Sequence, residues 1–132
     1  MEVIDVNTHS RTEMIDVTSK IAECVRKSGV KGGTCIIYVP HTTAAVTINE
    51  GADPSVKSDV LDMLNHLVPF EAGYSHTEGN SAAHIKSTIV GVSRTVPIKD
   101  GDLALGTWQS IFFCEFDGPR KRKLYVTMLG KT

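Results

Sequence analysis

The sequence predicts an α+β fold: a single compact domain of mixed or antiparallel β-sheets with about three helices. Helical periodicity is confined to the residues before Gly91, and after it the pattern turns to short β-branched runs separated by Gly, Asp and Pro. Helices early and strands late suit an α+β chain better than a doubly wound parallel sheet. The 132 residues also hold no repeat, low-complexity stretch or linker, so 1–132 reads as one domain.

Val3–Val6 is a short first strand. Thr18 caps a helix running to about Ser28. Ile21, Cys24, Val25 and Ser28 follow the i, i+3, i+4, i+7 spacing of one buried face, and Gly29 suits the position after the last turn. Gly32-Gly33 reads as a turn. The β-branched run Thr34–Val39 is a strand stopped by Pro40, and Ala44–Asn49 is another. Asp53-Pro54 starts a second helix, with an acid at the N-cap and Pro in the first turn. Val56, Val60, Met63, Leu64 and Leu67 form its apolar stripe, and Pro69 stops it. Residues 70–79 are a polar loop. Asn80 or Ser81 caps a third helix, with Ile85 and Ile89 inward and Gly91 at its end. Ser93–Ile98, Leu103–Leu105, Ser110–Phe116 and Leu124–Leu129 are strands, joined by turns at 99–102 and 117–119.

Composition excludes several classes. Lys plus Arg (14) nearly balance Asp plus Glu (15), for a net charge of -1. That argues against a nucleic-acid partner held by bulk electrostatics. No apolar run approaches the roughly 20 residues of a membrane helix, so no membrane partner is expected. The acidic start Met1–Asp5 is unlike a signal peptide, which makes the cytoplasm the expected location. Cys24, Cys35 and Cys114 lack paired spacing and read as reduced core thiols.

Four segments carry candidate chemistry. Pro40-His41-Thr42-Thr43 follows a buried strand and offers one imidazole and two hydroxyls. Asn49-Glu50-Gly51-Ala52-Asp53 offers an amide and two carboxylates beside a helix N-terminus, where anions are favoured; Asp53 also suits a plain capping role. Tyr74–His84 places His76 in a loop and His84 in the first helical turn, with Glu78, Asn80 and Ser81 between or beside them. Three imidazoles, His41, His76 and His84, form a possible metal set, for Zn²⁺ more naturally than for oxygen-preferring Mg²⁺. Gly106–Ser110 holds the only Trp, Trp108, next to Gln109, a pair suited to a flat heterocycle, although composition favours a core Trp. In the basic run 120–123, Arg120 follows a turn and has the fork that matches phosphate oxygens. His9 and His66 read as ordinary surface residues.

Taken in order, His41-Thr42-Thr43-Ala44, Ile48-Asn49-Glu50, Asp53-Pro54, Tyr74-Ser75-His76, Glu78-Gly79-Asn80, Ala83-His84-Ile85-Lys86, Leu105–Gln109 and Asp117–Arg120 resemble the YjbQ family over about Thr12 to Gly130. Members are described as secondary thiamine-phosphate synthases. Many carry a His soon after the residue matching Glu115, where this chain has Phe116 and Asp117. The resemblance implies an α+β domain assembled as a homotrimer with polar pockets near subunit interfaces. It also implies a reaction joining a hydroxymethylpyrimidine diphosphate to a thiazole phosphate with release of pyrophosphate.

On this reading His41, Glu50 and His84 are the catalytic candidates. Thr42, Thr43, Asn49, Asp53, Asn80, Ser81, Lys86, Trp108, Gln109 and Arg120 bind a small phosphorylated metabolite. A divalent metal, Zn²⁺ or Mg²⁺, is the expected cofactor, because departing pyrophosphate needs its charge held. Two other readings stay open. One is a metal-dependent hydrolase of a phosphorylated metabolite using His41, His76 and His84. The other is a non-catalytic trimeric metabolite-binding protein, since the chain has no nucleophile elbow, P-loop or HExxH.

Overall fold

Alternation along the strands decides how the layers stack. The computed structural model of the chain describes residues 1–75 and 79–132. It contains β1 (Glu2–Asn7), β2 (Glu13–Asp16), α1 (Thr18–Ser28), β3 (Gly32–Tyr38), β4 (Ala44–Glu50), α2 (Pro54–Leu67), α3 (Ser81–Val90), β5 (Ser93–Lys99), β6 (Asp102–Leu103), β7 (Gln109–Glu115) and β8 (Lys121–Lys131). The strands form two antiparallel sheets, β1-β8-β3-β5-β6 and β2-β7-β4. In β3, Cys35 and Ile37 point inward while Ile36 and Tyr38 point out.

The inner face of the larger sheet packs with Ile21 and Val25 of α1 against Val46, Ile111 and Phe113 of the smaller sheet. The other face of the smaller sheet, through Ala45, Phe112, Cys114 and Phe116, packs on Ala83 of α3 and on Val60, Leu61 and Leu64 of α2. β7 is therefore covered on both sides. That explains its unbroken apolar run, a pattern alternation alone does not predict. Among the described residues the fold is α+β with three helices and antiparallel sheets, as the sequence predicts.

Several local expectations need correction. Gly32-Gly33 is not a turn but the start of β3, opposite Gly130 and Lys131 of β8. A Cβ on Gly33 would lie 2.0 Å from the Leu129 carbonyl oxygen and 2.7 Å from the Gly130 Cα. Gly33 and Gly130 let the two backbones approach, whereas a Cβ on Gly32 would meet nothing within 4 Å. Gly33→Ala is expected to destabilise the fold by about 1–3 kcal/mol through overpacking, read as a lower urea midpoint at unchanged slope.

Thr18 does not cap α1. Val17 stands at the N-cap, Asp16 Oδ1 accepts from the Thr18 N–H, and Thr18 Oγ1 accepts from the Ile111 N–H, which ties the helix to β7. In α3, Ile85 and Ile89 are 37% and 62% exposed, and the inward residues are Ala82, Ala83, Lys86 and Ser87. The smaller residues face inward because α3 lies close against β4, where Ser87 Oγ donates to the Ala44 carbonyl at 2.6 Å. The α2 stripe is only half covered, with Met63 and Leu67 exposed. Trp108 is 65% exposed and is not a core residue. β2 was not expected from the sequence; it is four residues long and too short for periodicity to reveal. Among the described residues no helix is long and apolar enough to cross a membrane.

Candidate functional site

The loop leaving β3 turns at Pro40 and returns as β4, presenting His41, Thr42 and Thr43 at one end of the smaller sheet. α3 runs beside it, fastened by Ser87 and by the Val46 N–H donating to the Gly91 carbonyl at 3.1 Å. The β7–β8 connection brings Asp117 and Arg120 to the same place. Between these segments lies a cleft with two lobes that share Pro40, His41, Thr42 and His84. The larger lobe, about 760 Å³, is otherwise lined by uncharged groups, among them Tyr38, Ser87, Thr88 and Val92. The smaller, about 370 Å³, adds Thr43, Asn80, Asp117, Arg120 and Arg122. His41 and His84 thus stand on the boundary between a neutral lobe and a charged one.

A buried ion pair underlies the charged lobe. Arg122 Nε donates to Glu115 Oε1 at 2.9 Å and Nη2 to Oε2 at 2.5 Å, with Glu115 fully buried. Thr8 Oγ1 donates to Glu115 Oε1 at 2.7 Å, and Arg122 Nη2 also donates to Thr43 Oγ1 at 2.8 Å. Burial opposes ionisation of Glu115. The bonds from Arg122, Thr8 and the Asp117 N–H outweigh it and hold the carboxyl below its ordinary value.

The next residue along β8 orients the imidazole: the Lys123 N–H donates to His41 Nε2 at 2.9 Å. That bond fixes the neutral tautomer with its proton on Nδ1. Burial, and then the Arg122 charge, lower the His41 pKa from its usual 6.5, so the ring stays neutral at physiological pH. His41 is therefore a hydrogen-bond donor through Nδ1–H. Asp117 Oδ2 accepts from Asn80 Nδ2 and from Arg120 Nη2, both at 2.9 Å. Burial opposes its ionisation, but these bonds and the nearby Arg charges hold its carboxyl low.

Of the candidates named from sequence, His41, His84, Thr42, Thr43, Asn80 and Arg120 come together. Glu50, Asn49, Asp53, Trp108 and Gln109 do not: they form a separate group at the opposite end of β4, about 20 Å along the strand. There Glu50 pairs in register with Gln109, and the Gly51 N–H donates to the Trp108 carbonyl at 2.9 Å. Asp53 accepts from the Ser55 N–H at 2.9 Å, which bears out its capping role.

Lys86 is not in the cleft. It is fully buried, donates to Asn65 Oδ1 at 2.7 Å and lies 4.3 Å from the Phe70 ring centroid. Its position on the inward face of α3 carries it toward α2, away from His84. Ser81 lines neither lobe of the cleft but shares a shallow depression with Tyr74, His84 and Ile85. His76 and Glu78 lie outside the described residues. His9 is exposed at the surface, as is His66.

A resident Zn²⁺ or Mg²⁺ does not fit the described donor set. Among the described residues no three His, Cys, Asp or Glu gather as ligands. His41 uses its Nε2 lone pair on a backbone N–H, so the neutral ring has none left for a metal. Glu115 and Asp117 are already engaged by Arg122 and Arg120. The thiols offer no nucleophile: burial pushes Cys114 up to about 12 and Cys35 up to about 11.

Glu115, Asp117 and Arg122 are the site residues that sequence reasoning missed. A signal existed for Arg122: it shares the alternation of Leu124 and Val126, which places it on the inner face of β8.

A family model described as UPF0047 protein YjbQ-like matches residues 2–131. The chain belongs to the YjbQ family. It is 55% identical over 125 residues to a UPF0047 protein of Methanocaldococcus jannaschii, covering 95% of this chain and 91% of that one. It is 47% identical over 131 residues to YugU of Bacillus subtilis, covering 98% and 99%. The fold of a YjbQ/UPF0047 crystal structure from Clostridium acetobutylicum superposes with a TM-score of 0.96 at 44% identity, covering 98% of this chain and 100% of that one. A YbjQ-like protein of unknown function from Sulfolobus solfataricus gives 0.95 at 36% identity, covering 98% and 96%. YjbQ membership thus rests on nearly the whole length, not on the site alone.

Proposed function

We propose that the two-lobed cleft is the active site of an enzyme acting on a small phosphorylated heterocycle. The observation that carries this reading is that His41 and His84 border both lobes at once. A heterocycle in the neutral lobe and its phosphate in the charged lobe would put the bond between them beside two imidazoles. His41 acts as a neutral donor to a developing negative charge, and His84 supplies the proton that the departing phosphate oxygen takes up. The reaction implied by the YjbQ resemblance, joining a hydroxymethylpyrimidine diphosphate to a thiazole phosphate with release of pyrophosphate, is the first to test. Its expected carriers Glu50, Asp53 and Lys86 lie outside the cleft of one chain, so within that chain the reaction relies on Arg120, Asn80 and the two imidazoles.

The measurement is formation of thiamine phosphate by purified wild type and by His84→Ala. The variant is expected to lose about 10²-fold or more in rate. Equal product from both would remove His84 from the mechanism. Absence of turnover with any phosphorylated heterocycle, together with ligand-raised thermal stability, would instead favour a non-catalytic binding protein.

We also propose that the working form is a cytoplasmic homotrimer. Tyr38 lines the neutral lobe and stacks on Tyr125 on the outer face of the larger sheet, where Val3 and Leu129 are also exposed. An apolar face continuous with the cleft supports a site completed at an interface. Sedimentation equilibrium should return the mass of three 14.3 kDa chains. A single-chain mass at micromolar concentration would refute the trimer.

A further inference from the structure

Both guanidinium groups in the charged lobe already hold a carboxylate, but they hold it differently. Arg122 is buried and committed through Nε and Nη2 to Glu115 and Thr43, so it forms a fixed wall. Arg120 is half exposed, and its bonds go to one residue: Nε donates to the Asp117 carbonyl at 2.8 Å and Nη2 to Asp117 Oδ2 at 2.9 Å. The same Oδ2 takes Asn80 Nδ2 at 2.9 Å. The Asp117 carboxylate thus sits where a guanidinium and an amide converge, in the lobe that His41 and His84 border. A guanidinium beside an amide donor is the chemistry that recognises a phosphate oxygen.

We propose that the Asp117 carboxylate is an internal stand-in for a ligand's anionic group, and that the lobe binds one phosphate monoester by taking Arg120 and Asn80 from Asp117. This deepens the reading of the cleft as a site for a phosphorylated heterocycle and rests on it. The pair joins residues three apart, and although Asp117 is only 19% exposed, the Arg120 side chain is 54% exposed, so a ligand can reach the guanidinium and draw it away.

Charge limits the ligand to a single phosphate. Among the described residues the charged side chains lining the lobe are Arg120, Arg122 and Asp117, and Glu115 lies buried against Arg122, so the charges cancel. No lysine is among the described lining residues. Releasing Arg120 frees one cation and leaves an unpaired Asp117 carboxylate beside the ligand. A diphosphate would add negative charge without a further cation, and Asp117 would repel it. Asp117 is therefore a specificity-determining residue that weakens anion binding overall and makes this lobe the seat of the monophosphate substrate, such as the thiazole phosphate, rather than of the pyrimidine diphosphate.

Removing the Asp117 carboxylate should therefore tighten binding. Titration calorimetry with phenyl phosphate, inorganic phosphate, inorganic pyrophosphate and benzyl alcohol tests it on wild type, Asp117→Asn, Asp117→Ala and Arg120→Gln. Thermal melts of each variant establish that the fold is intact. Phenyl phosphate should bind wild type, bind both Asp117 variants about five- to tenfold tighter, and bind Arg120→Gln about tenfold or more weaker. Pyrophosphate should bind wild type no better than phosphate. Phenyl phosphate that binds wild type but binds the folded Asp117 variants equally or more weakly would overturn the stand-in role while leaving the phosphorylated-ligand reading in place. Pyrophosphate binding more than tenfold tighter than phosphate would do the same. If neither phosphate compound binds any variant, or benzyl alcohol binds as well as phenyl phosphate, the underlying reading falls as well.

Discussion

Glu115→Ala is expected to lose about 3–5 kcal/mol of folding stability, the largest effect of any single substitution at the site. The variant leaves the Arg122 guanidinium buried with Thr43 as its remaining partner. It also removes the acceptor for Thr8 Oγ1 and for the backbone N–H groups of Phe116 and Asp117. For a domain of this size the loss corresponds to a Tm lower by roughly 10–20 °C. A second substitution discriminates the cause. Replacing both partners, as Glu115→Leu with Arg122→Met, should recover much of the loss, because no unpaired charge then remains in the interior. A double variant as unstable as the sum of the singles would show that the pair itself, rather than the orphaned charge, carries the stability.

The same pair makes a pH statement. The Glu115 carboxyl ionises below its ordinary 4.5 in the folded chain, because its hydrogen bonds outweigh burial. A group with a lowered folded pKa contributes stability that is fully present above its unfolded value and is lost as pH falls through the folded one. Urea midpoints in the wild type should therefore decline below about pH 4.5. In Glu115→Leu/Arg122→Met that decline should be shallower. An identical pH dependence in both would show that other carboxylates govern the acid limb.

What could be read in advance follows from which signals are local. Helix ends were legible because Asp53, Pro54, Gly29 and Gly91 act within one turn. β3 was legible from its β-branched run and its stop at Pro40, and in β8 the alternation of Arg122, Leu124 and Val126 marks one buried face. The inward face of α3 was misread because hydrophobicity favours Ile85 and Ile89, whereas close approach to β4 selects Ala82, Ala83 and Ser87. The site divided along the same line. His41, Thr42 and Thr43 are neighbours in sequence, but what brings Asn80, His84, Asp117 and Arg120 to them is the β4–β7 register and the packing of α3, which no local pattern encodes. Asn49, Glu50 and Asp53 look adjacent to His41 in sequence, yet the extended β4 carries them to its far end. A strand separates what a loop would have kept together.

Replacing His41 by Ala is expected to lower kcat in the transfer assay about 10²- to 10³-fold, the usual loss on removing one preorganised donor to a developing negative charge. The tautomer decides the role of the ring. While Nε2 accepts the Lys123 N–H it serves neither as a base nor as a metal ligand, and protonation there breaks that bond, so the function of the neutral ring lies in Nδ1–H. Folding stability should change little, because the Lys123 N–H lies at an exposed position where water replaces the imidazole. Asn at 41 offers an amide donor and should recover part of the rate, which a purely structural role would not allow. A readout independent of turnover is the His41 ring titration followed by NMR. Burial and the Arg122 charge place its midpoint below 6.5, so the ring should still be neutral at pH 6.5. The linked stability is fully present above pH 6.5 and falls as pH drops through the lower folded value. A midpoint at or above 6.5 would mean that the imidazolium is the resting form. The Lys123 N–H could then no longer be donating to it, and the neutral-donor role would be excluded whatever the kinetics show.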